Sequence, residues 1–127
     1  MTLVDTDVIV WYMRGNPRAA IALRKLDRFA ISAVTYMELL QGVRNKEEAR
    51  VLRATFKNWV TPILPINEEI SGKAVVYIEQ YCLSHSLRLA DALIGATATI
   101  NGLSLLTGNQ KHYRMLPDVV LQKFRAK

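Results

Sequence analysis

The sequence predicts an α/β fold in which a central, mostly parallel β-sheet is flanked by helices, and three observations support this class. Short apolar segments typical of buried strands alternate with longer segments whose apolar residues recur at helical spacing. Strands separated by helical stretches need crossover connections, which place them parallel in one sheet. The 127 residues contain no internal repeat, low-complexity tract or Pro/Gly/Ser-rich linker, so we expect a single domain over residues 1–127.

The N-terminal half predicts two strands and four helices. Residues 2–4 form a short apolar strand that ends at Asp5, and the apolar run over 8–13 forms a helix that Gly15 closes. Asn16-Pro17 begins the second helix, because proline is tolerated in the first turn of a helix. The remaining elements of this half are a buried strand over 28–32 and helices over 34–43 and 46–57.

The C-terminal half predicts two long helices and three extended segments. Residues 59–64 are extended, because two prolines in this region break any helix. Asn67 caps an amphipathic helix that runs to about residue 84, and an alanine-rich helix covers 89–100. The pattern then favours strands over 103–107 and 119–121.

The charge of the chain favours a polyanionic partner. There are 17 basic and 11 acidic residues, which give a formal net charge of +6. Nucleic acid is the usual partner of such a protein. The alternative is that the basic residues only form solvated helix faces.

Several absences suggest a cytoplasmic protein. The N-terminus has no basic leader followed by an apolar run, so no secretory signal is expected. No apolar run approaches the ~18 residues of a membrane span, so we expect no membrane partner. The single cysteine, Cys82, cannot form an internal disulfide and favours a reducing compartment.

Four carboxylates lie in apolar stretches, where a charge is costly unless it is paired or bound to a metal. They are Asp5, Asp7, Glu38 and Asp91. Each also has a simpler interpretation. Asp5 or Asp7 caps the helix that follows, and Asp91 caps a helix that Ala92 begins. Glu38 lies opposite the apolar stripe of its helix and is then an ordinary exposed residue.

Three of these carboxylates together predict a metal site. Asp5 follows a strand, Glu38 lies within a helix and Asp91 lies near a helix start, so three separate elements supply oxygen donors. Mg²⁺ and Mn²⁺ prefer such ligands, and no His or Cys cluster indicates zinc. In a basic protein, a metal held by carboxylates suits attack of water on a phosphodiester. If the three converge, their mutual repulsion is expected to raise at least one pKa in the absence of metal.

Four segments of the chain carry a family resemblance. They are LVDTDVIVWYM, SAVTYMELLQGV, LRLADALIGATA and LLTGNQKHY, in that order. With this order and spacing the chain resembles the PIN-domain ribonucleases, and most closely the VapC-type toxins of toxin–antitoxin pairs. The resemblance implies a PIN-like fold, a Mg²⁺ or Mn²⁺ cofactor, and endonucleolytic cleavage of RNA by the toxin of a type II toxin–antitoxin system.

The resemblance also assigns roles to individual residues. Asp5, Glu38 and Asp91 match the catalytic carboxylates that bind the metal. Thr107 matches the threonine that opens the last motif and implies a hydrogen bond to Asp5 or to a metal-bound water. Asp7 occupies a position that is often a small polar residue in the family, so its role is supporting.

The last motif departs from the family pattern. Asn109 stands where many PIN domains have a fourth carboxylate, and His112 stands where an Asp is also common. The substitution favours one tightly held ion over a two-metal centre. His112 is a candidate phosphate contact or proton carrier, and otherwise a surface residue beside Tyr113.

Basic residues flank the motif segments and are candidates for holding RNA phosphates. They are Arg14, Arg44, Arg88, Lys111 and His112. Trp11 and Tyr36 are candidates for stacking on bases, although packing in the core is the simpler interpretation of both.

The resemblance implies two protein partners. VapC-type proteins form homodimers and are silenced by a cognate VapB-type antitoxin, which occupies a groove between helices. The candidate groove residues are Trp11, Tyr12, Val43, Phe56 and Trp59. For these residues too, packing within the core is the alternative, and it is favoured for Phe56.

Two other functions compete with the nuclease. Asp5-Thr-Asp7 after a strand is similar to the nucleophile loop of haloacid-dehalogenase-type phosphatases, in which Asp5 would attack phosphorus. That family also needs a C-terminal carboxylate pair, and after Asp91 this chain has only Asp118. The second alternative is a catalytically weak or inactive PIN-like module that binds RNA or a partner, which Asn109 motivates.

Overall fold

Five short strands and six helices alternate along the chain in the computed structural model, which describes residues 1–127. The strands are β1 (Thr2–Val4), β2 (Phe29–Ser32), β3 (Ile63–Leu64), β4 (Ser104–Thr107) and β5 (Leu121–Lys123). The helices are α1 (Thr6–Met13), α2 (Pro17–Lys25), α3 (Ala33–Gly42), α4 (Lys46–Trp59), α5 (Glu68–His85) and α6 (Leu89–Ile100). A short 3-10 helix, Gln110–His112, follows β4.

The strands form one sheet in the order β3-β2-β1-β4-β5, and every pairing in it is parallel. The α/β class predicted from the sequence is therefore confirmed. β1 lies at the centre, and Val4 is in register with Leu106 of β4. Because parallel strands end at the same edge of a sheet, Asp5 and Thr107 leave the sheet side by side.

The sheet separates two apolar layers, because alternate side chains of a strand point to opposite faces. Leu3 and Leu105 face the layer that contains α5 and α6. Val4 and Leu106 face the layer formed with α1, α2, α3 and α4. Both faces of the sheet are thus covered, which explains why its strands are continuous apolar segments.

Five of the six helices begin at a side chain that accepts a hydrogen bond from the backbone of the first turn. The capping residues are Asp5, Asn16, Ser32, Asn45 and Asn67. The exception is α6, whose first turn instead carries an acidic side chain. None of the helices combines the length and the apolar character that crossing a membrane requires.

Three local expectations were wrong. Trp59 belongs to α4, because its ring packs edge to face on Tyr12 at 4.9 Å and on Phe56 at 5.6 Å. The last strand is Leu121–Lys123 and not 119–121. α6 begins at Leu89, so Asp91 lies in its first turn and does not cap it.

Candidate functional site

Asp5 lies at the end of β1, where its carboxylate is almost fully buried, with 4% of the residue exposed. Its Oδ1 accepts a hydrogen bond from the Thr6 backbone at 2.8 Å, which also caps α1. Its Oδ2 accepts one from the Thr107 hydroxyl at 2.7 Å. The hydrogen bond to Asp5 implied by the resemblance is therefore present, and Asp5 is a cap and a site carboxylate at once.

Tyr113 connects Asp5 to Asp91. Its hydroxyl lies 3.1 Å from Asp5 Oδ1 and 3.2 Å from Asp91 Oδ1, and only 1% of the residue is exposed. Asp91 comes from the first turn of α6, so this one hydroxyl joins the sheet edge to a helix. Tyr113 was not among the site residues predicted from the sequence. No local pattern marked it, because its neighbours His112 and Arg114 are polar. Only its burial shows that the hydroxyl needs a hydrogen-bond partner.

Glu38 is exposed on α3, on the side opposite the apolar stripe, as the sequence predicted. Its Oε1 accepts a hydrogen bond from the Thr6 hydroxyl at 2.7 Å. The same hydroxyl lies 2.9 Å from the hydroxyl of Thr35, which is buried. Thr6, which directly follows Asp5 in the chain, therefore links Glu38 to the start of α1, a contact that no sequence pattern indicated.

The three carboxylates are neighbours but do not form a closed ligand set. No group of three or more His, Cys, Asp or Glu side chains is close enough to hold a metal ion in this arrangement. Tyr113 lies between Asp5 and Asp91, and Glu38 is held by Thr6. The donors nevertheless suit a hard cation such as Mg²⁺ or Mn²⁺, because they are carboxylate oxygens and one of them is deeply buried.

The pKa values of Asp5 and Asp91 are both raised above the ordinary aspartate value. For Asp5 the largest cause is burial, which is opposed by hydrogen bonds from Thr107, Thr6 and Tyr113, and the charge of Asp91 adds to the rise. For Asp91 the largest cause is again burial, opposed first by the nearby His112. The predicted rise is confirmed, and the charge of a neighbouring carboxylate contributes to it at both residues, Asp91 at Asp5 and Glu38 at Asp91. Burial, which the prediction did not include, is the larger cause.

Asp7 is a half-buried carboxylate beside the site. Its Oδ2 accepts a hydrogen bond from the Gly108 backbone at 2.9 Å, while its buried Oδ1 has no hydrogen-bond partner. Burial and then the charge of Asp5 raise the pKa of Asp7 to about 6. A Cβ atom at residue 108 would lie 2.6 Å from Asp7 Oδ2, so glycine is needed there for the close approach. Asp7 thus ties α1 to the turn after β4.

The two residues that depart from the family pattern behave differently. His112 lies beside Asp91, with 3.5 Å between its Nδ1 and Asp91 Oδ2, and its side chain is about half exposed. Asn109 donates its backbone N–H to the Thr107 hydroxyl at 2.9 Å. Asn109 therefore orients Thr107 through its backbone, and His112 is the side chain that faces the site carboxylates.

Two cavities flank the carboxylates. The first has a volume of about 790 Å³ and contains Asp91, with a basic wall of His85, Arg88, Lys111, His112 and Arg114. The second, of about 660 Å³, contains Glu38 and is lined by Arg14, Arg44, Glu47, Glu48 and apolar residues of α1, α3 and α4. The five basic residues singled out from the sequence therefore lie beside one carboxylate or the other. Arg44 is already paired with Glu48 at 2.7 Å.

The aromatic candidates for a partner groove mostly pack inside the protein. Val43 lines the second cavity, but none of the four aromatic candidates does. Phe56 is 3% exposed, which confirms the core interpretation for that residue. Tyr36 packs edge to face on Phe56 at 5.9 Å, as its core interpretation requires.

A wholly parallel sheet in which Asp5, at the end of the central strand, shares a buried hydroxyl with Asp91 of a helix defines an α/β protein with a candidate metal site. The sequence profile of the PIN domain family matches residues 2–115, and the chain belongs to that family. Within it the chain belongs to the VapC ribonucleases. Ribonuclease VapC19 of Mycobacterium tuberculosis is 36% identical over 124 residues, covering 94% of this chain and 97% of the relative. Ribonuclease VapC10 of the same organism is 36% identical over 125 residues, covering 94% and 90%.

The fold agrees with solved structures of related proteins. A chain of a toxin–antitoxin complex from Klebsiella pneumoniae superimposes with a TM-score of 0.81 at 30% sequence identity, covering 94% of this chain and 96% of that chain. The PIN-like fold expected from the resemblance is therefore confirmed.

Proposed function

We propose that this protein is a divalent-metal-dependent endoribonuclease, the toxin of a type II toxin–antitoxin pair, built as one PIN domain over residues 1–127. Asp5, Glu38 and Asp91 hold the metal. The observation that carries the proposal is the meeting of Asp5 and Asp91 at one buried hydroxyl, although they come from different elements. Membership of the VapC ribonucleases supports the same reaction.

The chain's own residues prepare the site for a cation. Thr107 and the Thr6 backbone fix the Asp5 carboxylate, and burial makes its unneutralised charge costly, which favours a bound cation. A bound Mg²⁺ or Mn²⁺ lowers the pKa of a coordinated water and neutralises charge that builds on the phosphate. Asp7 and Asn109 support the site by holding the turn after β4 in place.

The basic wall beside Asp91 is the proposed RNA phosphate surface. Arg88, Lys111 and His112 line the larger cavity together with Asp91, so an RNA phosphate held there lies next to the metal ligands. Arg14 is placed similarly beside Glu38. Arg44 contributes only if it leaves Glu48, which makes it the weakest member of the set.

The proposed protein partners are a VapB-type antitoxin and a second copy of the chain. The second cavity contains Glu38 and apolar side chains, so a peptide bound there would reach the candidate metal site. On α5, Val75 is 56% exposed and Leu83 is 97% exposed, which suits a covered helix face. Light scattering on the purified toxin, alone and with antitoxin, measures both assemblies.

An RNA cleavage assay with Mn²⁺ tests the proposed function. We expect the wild type to cleave a labelled single-stranded RNA and Asp5→Asn to lose at least about 100-fold in rate, because the metal ligand is weakened. Asp27→Asn, which alters an exposed carboxylate, is the control and keeps the wild-type rate. Equal cleavage by the wild type and Asp5→Asn would indicate a contaminating nuclease and defeat the site assignment.

A module that binds RNA or a partner without cutting is the second candidate. It is favoured by Asn109 in place of a carboxylate and by the absence of a closed three-ligand group. The same assay decides between the two, because such a module binds the RNA but shows no Mn²⁺-dependent cleavage that Asp5→Asn removes.

A further inference from the structure

Tyr113 has one hydroxyl hydrogen but contacts two carboxylates. The hydroxyl lies 3.1 Å from Asp5 Oδ1 and 3.2 Å from Asp91 Oδ1. Since a tyrosine donates a single hydrogen bond, it serves one of these oxygens at a time. The contact therefore does more than satisfy a buried hydroxyl, because it draws two acidic side chains toward one point.

The position of the hydroxyl is fixed by the packing of the ring. Tyr113 is 1% exposed, within the apolar layer under α5 and α6. Its Cδ1 lies 3.8 Å from where a Cβ would stand on Gly95, four residues after Asp91 and so on the same face of α6. The phenol thus reaches the two carboxylates from within this apolar layer.

Counting acceptors shows which oxygens are left for a cation. Asp5 Oδ1 faces two donors, the Thr6 backbone N–H and the hydroxyl that Tyr113 shares with Asp91, whereas Oδ2 faces only the Thr107 hydroxyl. Asp91 Oδ1 faces Tyr113, and its Oδ2 has only His112 at 3.5 Å. The Oδ2 atom of each carboxylate is therefore the less occupied one.

We infer that Tyr113 is a positioning residue of the metal site. Its hydroxyl engages the inner oxygens of Asp5 and Asp91 and so presents their Oδ2 atoms together to a divalent cation. This inference rests on the proposed function, because it takes Asp5 and Asp91 as metal ligands. It adds a residue that orients the ligands without binding the metal.

The chain offers a matched control for the test. Tyr77 is 2% exposed, and its hydroxyl lies 3.0 Å from the Thr99 hydroxyl, away from the carboxylates. Tyr113→Phe and Tyr77→Phe therefore remove the same atom from equally buried rings. A purely structural role predicts similar effects of the two substitutions.

The experiment is calorimetric titration of Mn²⁺ into the RNA-free wild type and variants. We expect Tyr113→Phe to weaken Mn²⁺ binding about tenfold or more, as is usual when a partner of a metal ligand is removed, and Tyr77→Phe to change it less than about twofold. Because Tyr113 orients ligands and does not act on RNA, excess Mn²⁺ should restore cleavage by Tyr113→Phe. Binding by Tyr113→Phe that is as tight as in the wild type, or tighter, overturns the inference.

Two further measurements keep the outcome decisive. The tyrosine absorbance of the wild type should change as Mn²⁺ binds, with the same midpoint Mn²⁺ concentration as the calorimetric titration. An unchanged absorbance spectrum contradicts the inference, even if Tyr113→Phe does not fold. Asp5→Asn distinguishes failure of the proposed metal site from failure of the role inferred for Tyr113. If the wild type binds no Mn²⁺, or Asp5→Asn binds it equally well, the proposed metal site fails together with the inference. If Asp5→Asn loses binding but Tyr113→Phe does not, only the inference fails.

Discussion

Asp7 is the residue whose charge fits its surroundings least well. Its Oδ1 is buried without a partner, and its pKa is raised to about 6, first by burial and then by the charge of Asp5. A pKa that is higher in the folded than in the unfolded chain means that folding favours the protonated form. The stabilising contribution is then fully present below about pH 4 and is lost as the pH rises through about 6.

Asp7→Asn is therefore expected to stabilise the metal-free protein at pH 7 and to have little effect at pH 4. The neutral amide oxygen still accepts the hydrogen bond from Gly108, while the buried charge is removed. The full pKa difference corresponds to about 3 kcal/mol, and solvent screening at this partly exposed group reduces the expected gain to about 1 kcal/mol. Urea unfolding in EDTA at both pH values measures it, with Asp27→Asn as the control. A gain that is equal at both pH values contradicts the assignment to charge.

Gly108 is expected to be intolerant of a side chain. In Gly108→Ala the new Cβ would lie 2.6 Å from Asp7 Oδ2 and 3.4 Å from the Phe124 carbonyl oxygen, so Asp7 or the turn after β4 must move. We expect a loss of about 1–3 kcal/mol in the free energy of unfolding.

Gly72→Ala is the matched control for Gly108→Ala. Gly72 lies in α5 with nothing within 4 Å of its added Cβ, so alanine should be neutral or stabilising there. Chemical denaturation compares the two variants, and equal effects would show that crowding around Asp7 is not the cause.

The sequence singles out candidate site residues where a charge is out of place, and it overlooks polar groups that look ordinary. Asp5 and Asp91 were identifiable because carboxylates are unusual in apolar stretches. Tyr113 and Thr6 were not, because phenols and hydroxyls are common both in cores and on surfaces. Their importance comes from contacts such as Tyr113–Asp5, which join residues 108 positions apart, and local patterns contain no information at that distance.

At the level of elements, the start of α1 is coupled to the site because Asp5 serves both. Asp5→Asn keeps an N-cap acceptor, whereas Asp5→Ala removes the partner of the Thr6 backbone, Thr107 and Tyr113 together. We expect Asp5→Ala to be less stable than Asp5→Asn by at least about 1 kcal/mol in the metal-free protein. Thermal unfolding in EDTA measures the difference. Equal stability of the two variants would mean that the cap at Asp5 contributes nothing to the stability of the metal-free protein. Asp5→Ala could then replace Asp5→Asn in the activity assays.

The elements themselves were predictable to the extent that periodicity and capping residues define them. The helix over 89–100 has the bounds predicted from its alanine-rich pattern, and Asn67 begins α5 as expected. The errors fall where tertiary contacts decide the boundary. Trp59 stays helical because its ring packs on Tyr12 and Phe56. β5 is shifted because pairing with β4 at Leu105 and Leu121 sets its register, which the local sequence does not specify.

At the level of the whole molecule, the net charge of +6 contributes to RNA binding if some of the basic side chains face the site. Arg88 and Lys111 line the cavity that contains Asp91. We expect Arg88→Gln and Lys111→Gln each to weaken RNA binding in EDTA and to reduce the slope of log affinity against log salt by roughly 0.7, the value for one phosphate contact on a single strand. Arg24→Gln, on α2 and outside both cavities, is the control. Fluorescence anisotropy over a salt series gives the slopes, and an equal slope change in Arg24→Gln would indicate that only bulk charge matters.

The central strands β1 and β4 are neighbours in the sheet but far apart in the sequence, and this has a consequence for when the site is complete. Asp5 leaves the ribosome early in translation, but Thr107 follows it by 102 residues and Tyr113 by 108. A nascent chain therefore carries an incomplete centre for most of its synthesis. The complete centre therefore exists only after residue 113 of the 127 has been added and the chain has folded.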